Sequence, residues 1–226
     1  FFCGAPRRIG FRAAREGASL LYTEKILIPA NISHAVEKNL FMVRSALGIS
    51  DDAAESNFKL HHDAIKHAES LMSVNNIDGR RPILAVAPAA RWASKTWPPE
   101  FFARVLDDAQ KAVPGLNCWL LGTENEKNVG RDVSARCQVA QPQNLMGEAN
   151  LTTLTELLRR SDVLLTNDSG PMHLAAALGM PTTALFGPTD PDLTGPYGQG
   201  HHVIIGNCEV APCFKRVCPE SARICA

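Results

Sequence analysis

The sequence predicts an α/β fold built on a doubly wound parallel sheet. Three observations carry that prediction: short apolar runs without alternation, amphipathic stretches of about three turns between them, and Gly or Pro punctuation where the two meet. From Arg81 onward the elements follow in order. "ILAVA" (83–87) reads as a buried strand, "PEFFARVLDDAQKAV" (99–113) as an amphipathic helix, "NCWLL" (117–121) as a strand and "NEKNVGRDVSARC" (125–137) as a helix. "LTTLTELLRRS" (151–161) is a helix with Asn150 or Thr152 as its cap, and "DVLLTN" (162–167) is a strand. "PMHLAAALG" (171–179) is a helix closed by Gly179, and "TTALFG" (182–187) is a further strand. This domain takes in residues 80–206.

Upstream, "RRIGF" (7–11) and "KILIP" (25–29) read as short strands. They are followed by helical "HAVEKNLFMVRSALG" (34–48) and by "AAESNFKLHHDAIKHAESLMSV" (53–74), which reads as mostly helical. Two strands cannot close a sheet of their own, so residues 1–78 are expected to be the end of an earlier domain, with "NNIDGRRP" (75–82) as the linker.

The chain has 226 residues, 45% hydrophobic and 20% charged, which places it among soluble globular proteins. Its 23 basic and 23 acidic residues cancel, so there is no global footprint for nucleic acid and any anion must be held locally. The longest apolar stretch, "ILAVAPAA", falls far short of the ~20 residues that span a bilayer, and "FFCGAPRRIGFR" lacks the order of a signal peptide. A cytoplasmic location follows. There are seven cysteines; Cys3, Cys118 and Cys137 are scattered like ordinary buried thiols. The chain opens on Phe1 and ends inside a cysteine cluster, so a fragment is expected.

In an open parallel sheet, ligands bind at the carboxyl ends of the strands. That rule brings together "PAARWASKTWPP" (88–99), "GTENE" (122–126) and "NDSGPMH" (167–173). Ser169 or Gly170 can cap the third helix, Pro171 sits where a missing N–H is harmless, and the first-turn amides carry partial positive charge suited to phosphate. Gly170 lets an anion approach, Ser169 adds a hydroxyl, and His173 lies one turn on. Two readings of Asp168 stay open: it supports the helix dipole, or it accepts hydrogen bonds from ligand hydroxyls. Lys95 and Arg91 can supply cations to a phosphate, while Trp92 and Trp97 are expected to pack the loop. Glu124 or Glu126 either favours its helix start or grips a ribose diol.

Other signals are weaker. "DPD" (190–192) reads as a turn rather than a metal triplet, and Arg7, Arg8, Arg12 and Arg15 as a solvated basic face unless they border the cleft. In the tail "CEVAPCFKRVCPESARIC", Cys208, Cys213, Cys218 and Cys225 are spaced by four, four and six residues, without the tight CxxC knuckle of a zinc site. No metal is expected there.

With those residues in hand, the chain resembles the ADP-heptose:lipopolysaccharide heptosyltransferases, glycosyltransferase family 9. "TNDSGPMHLAAALGMPTTALFGPTDP", "GPYG", "SKTWPPEFFA", "RRIGF" and the tail "APCFKRVCPESARIC" carry the likeness over nearly the whole chain, and "PCFKRVCP" favours the heptosyltransferase II branch. The resemblance implies a GT-B fold of two Rossmann-like halves. Residues 1–78 would be the remnant of the acceptor-binding half, and 79–226 the nucleotide-sugar domain with its Cys-rich tail. It also implies transfer of L-glycero-D-manno-heptose from ADP-heptose to the inner core of lipopolysaccharide, inverting and metal-independent, with no cofactor. The donor and the lipopolysaccharide acceptor are the implied partners, with peripheral association at the inner membrane and no transmembrane segment. On this likeness the donor site comprises Arg91, Lys95, Glu126, Met146, Gly147, Asp168, Ser169, Gly170 and His173, with adenine near Leu145 to Gly147. Lys95, Asp168 and His173 support catalysis, and the base is expected in a missing N-terminal segment. The alternatives are a nucleotide-sugar-binding module without turnover and a family 9 transferase with another donor.

Overall fold

The apolar runs become strands, and the periodic stretches helices, in the computed structural model, which describes residues 4–50, 58 and 62–218. Two compact units divide the chain: Phe1–Glu55 with Asp192–Thr194, and Ser56–Pro191 with Gly195–Ala226.

In the first unit, β1 (Ile9–Phe11) and β2 (Glu24–Ile26) form a parallel pair with Ile9 opposite Glu24. The Tyr22 ring lies where any β-carbon on Gly10 would fall, so the strand needs a glycine there. Helix α1 (Ala35–Leu47) is capped by His34, whose Nδ1 accepts the Val36 N–H at 3.2 Å, and ends at Gly48 with φ 67°. Arg7 pairs with Glu24 at 2.5 Å and donates to Ala46 O, and Arg8 donates to the carbonyls of Leu21 and Ala5. Those two arginines serve the unit itself.

The second unit runs α2 (His62–Val74), β3 (Ile83–Ala87), α3 (Pro99–Ala112), β4 (Asn117–Leu120), α4 (Lys127–Arg136), β5 (Gln143–Asn144), α5 (Leu151–Arg159), β6 (Val163–Asn167), α6 (Gly170–Ala177), β7 (Thr182–Phe186) and β8 (His202–Ile205). Its six strands lie in the order β5-β4-β3-β6-β7-β8, every neighbouring pair parallel. The order reverses between β3 and β6. The caps act as expected: Asn150 Oδ1 accepts the Thr153 N–H at 2.9 Å, and Gly179 takes φ 70° after α6.

One face of the sheet packs α2, α5 and α6 through Ala68, Met72, Ile83, Trp119, Leu157 and Ala175. The other packs α3 and α4 through Leu84, Val86, Phe102, Leu106 and Val133. The units part before α2, not after residue 78. Ala64, Ala68 and Met72 are buried at helical spacing, and His67 bonds Thr153 of α5 at 3.2 Å. That stripe ties α2 to the second unit. A second difference concerns coverage. Among the described residues, the α3 side of β6 to β8 keeps an apolar trough of about 430 Å³, lined by Trp97, Val163, Leu165, Leu185 and Ile204 among others.

Asp107 on α3 anchors the connection after α4. Its buried carboxylate accepts the N–H groups of Gln138, Val139 and Ala140 at 2.8, 2.9 and 2.8 Å. Burial raises its pKa, but the three amide bonds, with Lys111, outweigh this and hold it below the ordinary aspartate value.

Candidate functional site

Where the strand order reverses, the loops leaving β3 and β6 stand side by side at the carboxyl ends of paired strands, the place where open parallel sheets bind ligands. Asn167, fully buried at the end of β6, clamps the β3 loop at both ends. Its Nδ2 donates to Pro88 O at 2.8 Å, and its Oδ1 accepts the Trp97 N–H at 3.1 Å. Between those anchors a short 3-10 turn, Ala93–Lys95, turns Lys95 toward β6.

Lys95 Nζ meets Asp168 Oδ2 at 2.5 Å, with only 16% and 5% of the two side chains exposed. The same carboxylate oxygen accepts the Thr189 hydroxyl at 2.6 Å, and the ammonium lies 4.6 Å from the Trp92 ring centroid. Asp168 therefore does something neither sequence reading assigned to it: it holds Lys95. Trp92, expected only to pack, supplies a cation-binding face. Because an ammonium has three donors, Lys95 can keep this partner and still receive an anion.

Ser169 takes the extended N-cap position of α6 with φ −149°, but its side chain does not cap; its Oγ lies 3.1 Å from Thr166 Oγ1. Pro171 has no N–H, and that of Met172 bonds Ser169 O at 3.2 Å. Fewer first-turn amides are thus open to an anion than the sequence reading supposed, and Gly170 carries the main one. A β-carbon built on Gly170 meets nothing within 4 Å, so the space before it is open. His173 is exposed one turn on, and Arg91 is exposed on the β3 loop.

The loops after β4 and β5 lie against each other. Glu126 Oε2 accepts both the Thr123 N–H and hydroxyl at 2.8 Å, a capping box that occupies this oxygen. Gly147 donates to Gly122 O at 3.0 Å with φ 84°, and a β-carbon there would collide with Glu124. Met146 differs from expectation. Its side chain is wholly buried beneath Gly122 and Gly130, so at this position only backbone can reach a ligand.

Sequence reasoning missed Thr189 and the role of the tail. Phe214 N–H bonds Pro188 O at 2.7 Å, and Ser94 bonds the carbonyls of Arg216 and Lys215 at 3.3 and 2.7 Å. Cys208, Cys213 and Cys218 are free thiols, while Cys225 and Cys3 lie outside the described residues. Burial pushes the Cys118 thiol up to about 12 and that of Cys137 up to about 11, so neither is a ready nucleophile. The "DPD" run leads into a helical turn, Pro191–Thr194.

The description Glycosyltransferase family 9 (heptosyltransferase) matches residues 1–223. The chain belongs to glycosyltransferase family 9. Among family 9 relatives, lipopolysaccharide heptosyltransferase 2 of Escherichia coli K12 is 29% identical over 212 residues, 90% of this chain and 60% of that protein. The Salmonella typhimurium protein of the same name is 28% identical over 211 residues. The chain thus spans about 60% of the length of these curated relatives. The solved Escherichia coli ADP-heptose lipopolysaccharide heptosyltransferase II superposes with a TM-score of 0.73 at 25% identity, covering 90% of this chain and 63% of that one. Escherichia coli heptosyltransferase WaaC with ADP gives 0.66 at 25% identity, over 86% and 58% of the two chains. This is the fold of the GT-B heptosyltransferases, with its parallel six-stranded sheet.

Proposed function

We propose that this chain contributes the donor site of a heptosyltransferase that moves L-glycero-D-manno-heptose from ADP-heptose to the inner core of lipopolysaccharide. The observation that carries the reading is the Lys95–Asp168 pair, held by Thr189 at the point of strand reversal, beside an open helix start at Gly170. Membership of family 9 and the ADP named with its relative WaaC support the donor.

In this reading an acceptor hydroxyl attacks the sugar carbon in line with the departing ADP and gives up its proton to a general base as the bond to ADP breaks, which inverts that carbon. Charge develops on the diphosphate as the bond breaks. Lys95 and the Gly170 amide, already oriented, meet that charge more strongly in the transition state than in the ground state. These groups supply the positive charge without a metal or cofactor. Ser169 adds a hydroxyl, His173 and Arg91 line the approach, and Glu126 with the Met146–Gly147 backbone faces the nucleoside. Transfer takes place in the cytoplasm, at the inner face of the inner membrane where the lipid acceptor is presented. Among the described residues no helix is long and apolar enough to cross a membrane.

Calorimetric titration with ADP, ADP-heptose, UDP and GDP tests the donor. ADP and ADP-heptose are expected to bind, and UDP and GDP to bind roughly tenfold more weakly or worse, a difference of about 1.4 kcal/mol. Equal binding of all the nucleotides, or of none, counts against the reading.

A further inference from the structure

Two cations share one indole at the rim of this site. Lys95 Nζ lies 4.6 Å and Arg216 Cζ 5.6 Å from the Trp92 ring centroid. Arg216 is held there by its backbone, because Ser94 donates to the carbonyls of both Lys215 and Arg216 while Phe214 donates to Pro188 O. These three bonds strap the tail to the loop carrying Lys95 and to the loop carrying Thr189.

The two cations are compensated differently. Lys95 has Asp168, whereas among the described residues no carboxylate pairs with Arg216, with its neighbour Lys215, or with Arg91 on the same loop. In a chain with zero net charge, Lys95 and Arg216 thus meet on one ring with a single paired carboxylate between them. Like charges at such spacing repel one another, and an anion placed among them relieves the repulsion. A guanidinium also brings what the lysine lacks: a planar fork that takes two oxygens of a phosphate at once.

We infer that the tail delivers Arg216 as a second phosphate-binding cation, seated with Lys95 on Trp92. The inference rests on the donor-site reading above. The ligand group is a phosphate ester carrying at least one full negative charge, and it has two sources: the diphosphate of the nucleotide, or a phosphate on a sugar of the acceptor. Arg216 is a binding residue here, and its charge, not its packing, is what counts.

The experiment titrates wild type, Arg216→Gln and Arg216→Lys with three probes: ADP, mannose 6-phosphate and uncharged adenosine. Arg216→Gln is expected to weaken one phosphate probe about five- to tenfold and to flatten its salt dependence, with Arg216→Lys recovering part of the loss. Adenosine affinity and melting temperature stay as in wild type, since the guanidinium is exposed. A loss confined to ADP assigns Arg216 to the donor diphosphate; a loss confined to mannose 6-phosphate assigns it to an acceptor phosphate. Wild-type affinity of Arg216→Gln for both phosphate probes overturns the inference and leaves the donor reading standing. A wild-type chain that binds neither overturns both.

Discussion

Lys95→Met is expected to lower stability by about 3 kcal/mol and to weaken ADP binding about 10- to 100-fold, and only the first of these losses should be reversed by adding Asp168→Asn. The reasoning starts from burial. Asp168 is 5% exposed at its side chain, so removing the ammonium leaves a carboxylate in a low-dielectric corner with the Thr189 hydroxyl as its remaining described partner. Replacing that carboxylate with a neutral amide of the same shape removes the penalty. It does not restore a cation for the phosphate. Urea denaturation and calorimetry on the single and double variants separate the two effects. Parallel recovery of stability and affinity in the double variant would mean that Lys95 matters only as a structural partner of Asp168.

The second large effect lies away from the site. Helix α3 runs back from the carboxyl end of β3 toward the start of β4, so Asp107, in its second half, is on the far side from the ligand loops. Asp107→Ala strands three backbone donors and should cost about 2–4 kcal/mol while leaving ADP affinity unchanged. Its pH dependence has a definite sign. The folded pKa is depressed, so the stabilisation is complete above the unfolded value of about 3.9 and is lost as pH falls through the lower folded value. Denaturation curves of wild type and Asp107→Ala should therefore lie furthest apart near neutrality and converge below about pH 4. A constant gap from pH 7 to pH 3 would show that the carboxylate charge plays no part.

How much of this was legible follows from which interactions are local. Strands such as "ILAVA" and caps such as Asn150 and Gly179 depend on neighbours within a few residues, and they lie where those neighbours put them. β8 has four exposed residues behind a Gly-rich turn, and β5 is only two half-buried residues long, so neither carries a pattern long enough to read. The position of Lys95 and Asp168 on adjacent loops followed from the parallel topology. Their pairing, and the Thr189 hydroxyl behind it, are contacts across 73 and 21 residues that spacing does not encode. Likeness placed Leu145 to Gly147 near the adenine without saying which atoms of Met146 would face it; its side chain fills the space beneath two glycines, which leaves the backbone. The tail looked like a set of cysteines; its contribution runs through Phe214, Lys215 and Arg216, whose bonds to Pro188 and Ser94 appear only once the chain is folded.

The central claim is that phosphate is received at the start of α6 beside Lys95. Its most direct test is an amide-resolved NMR titration of the chain with ADP. The largest shifts are predicted at Gly170, Ser169 and Lys95, with Val163 and Ile204 of the apolar trough unmoved. Shifts that instead cluster around that trough and leave Gly170 in place would contradict the account.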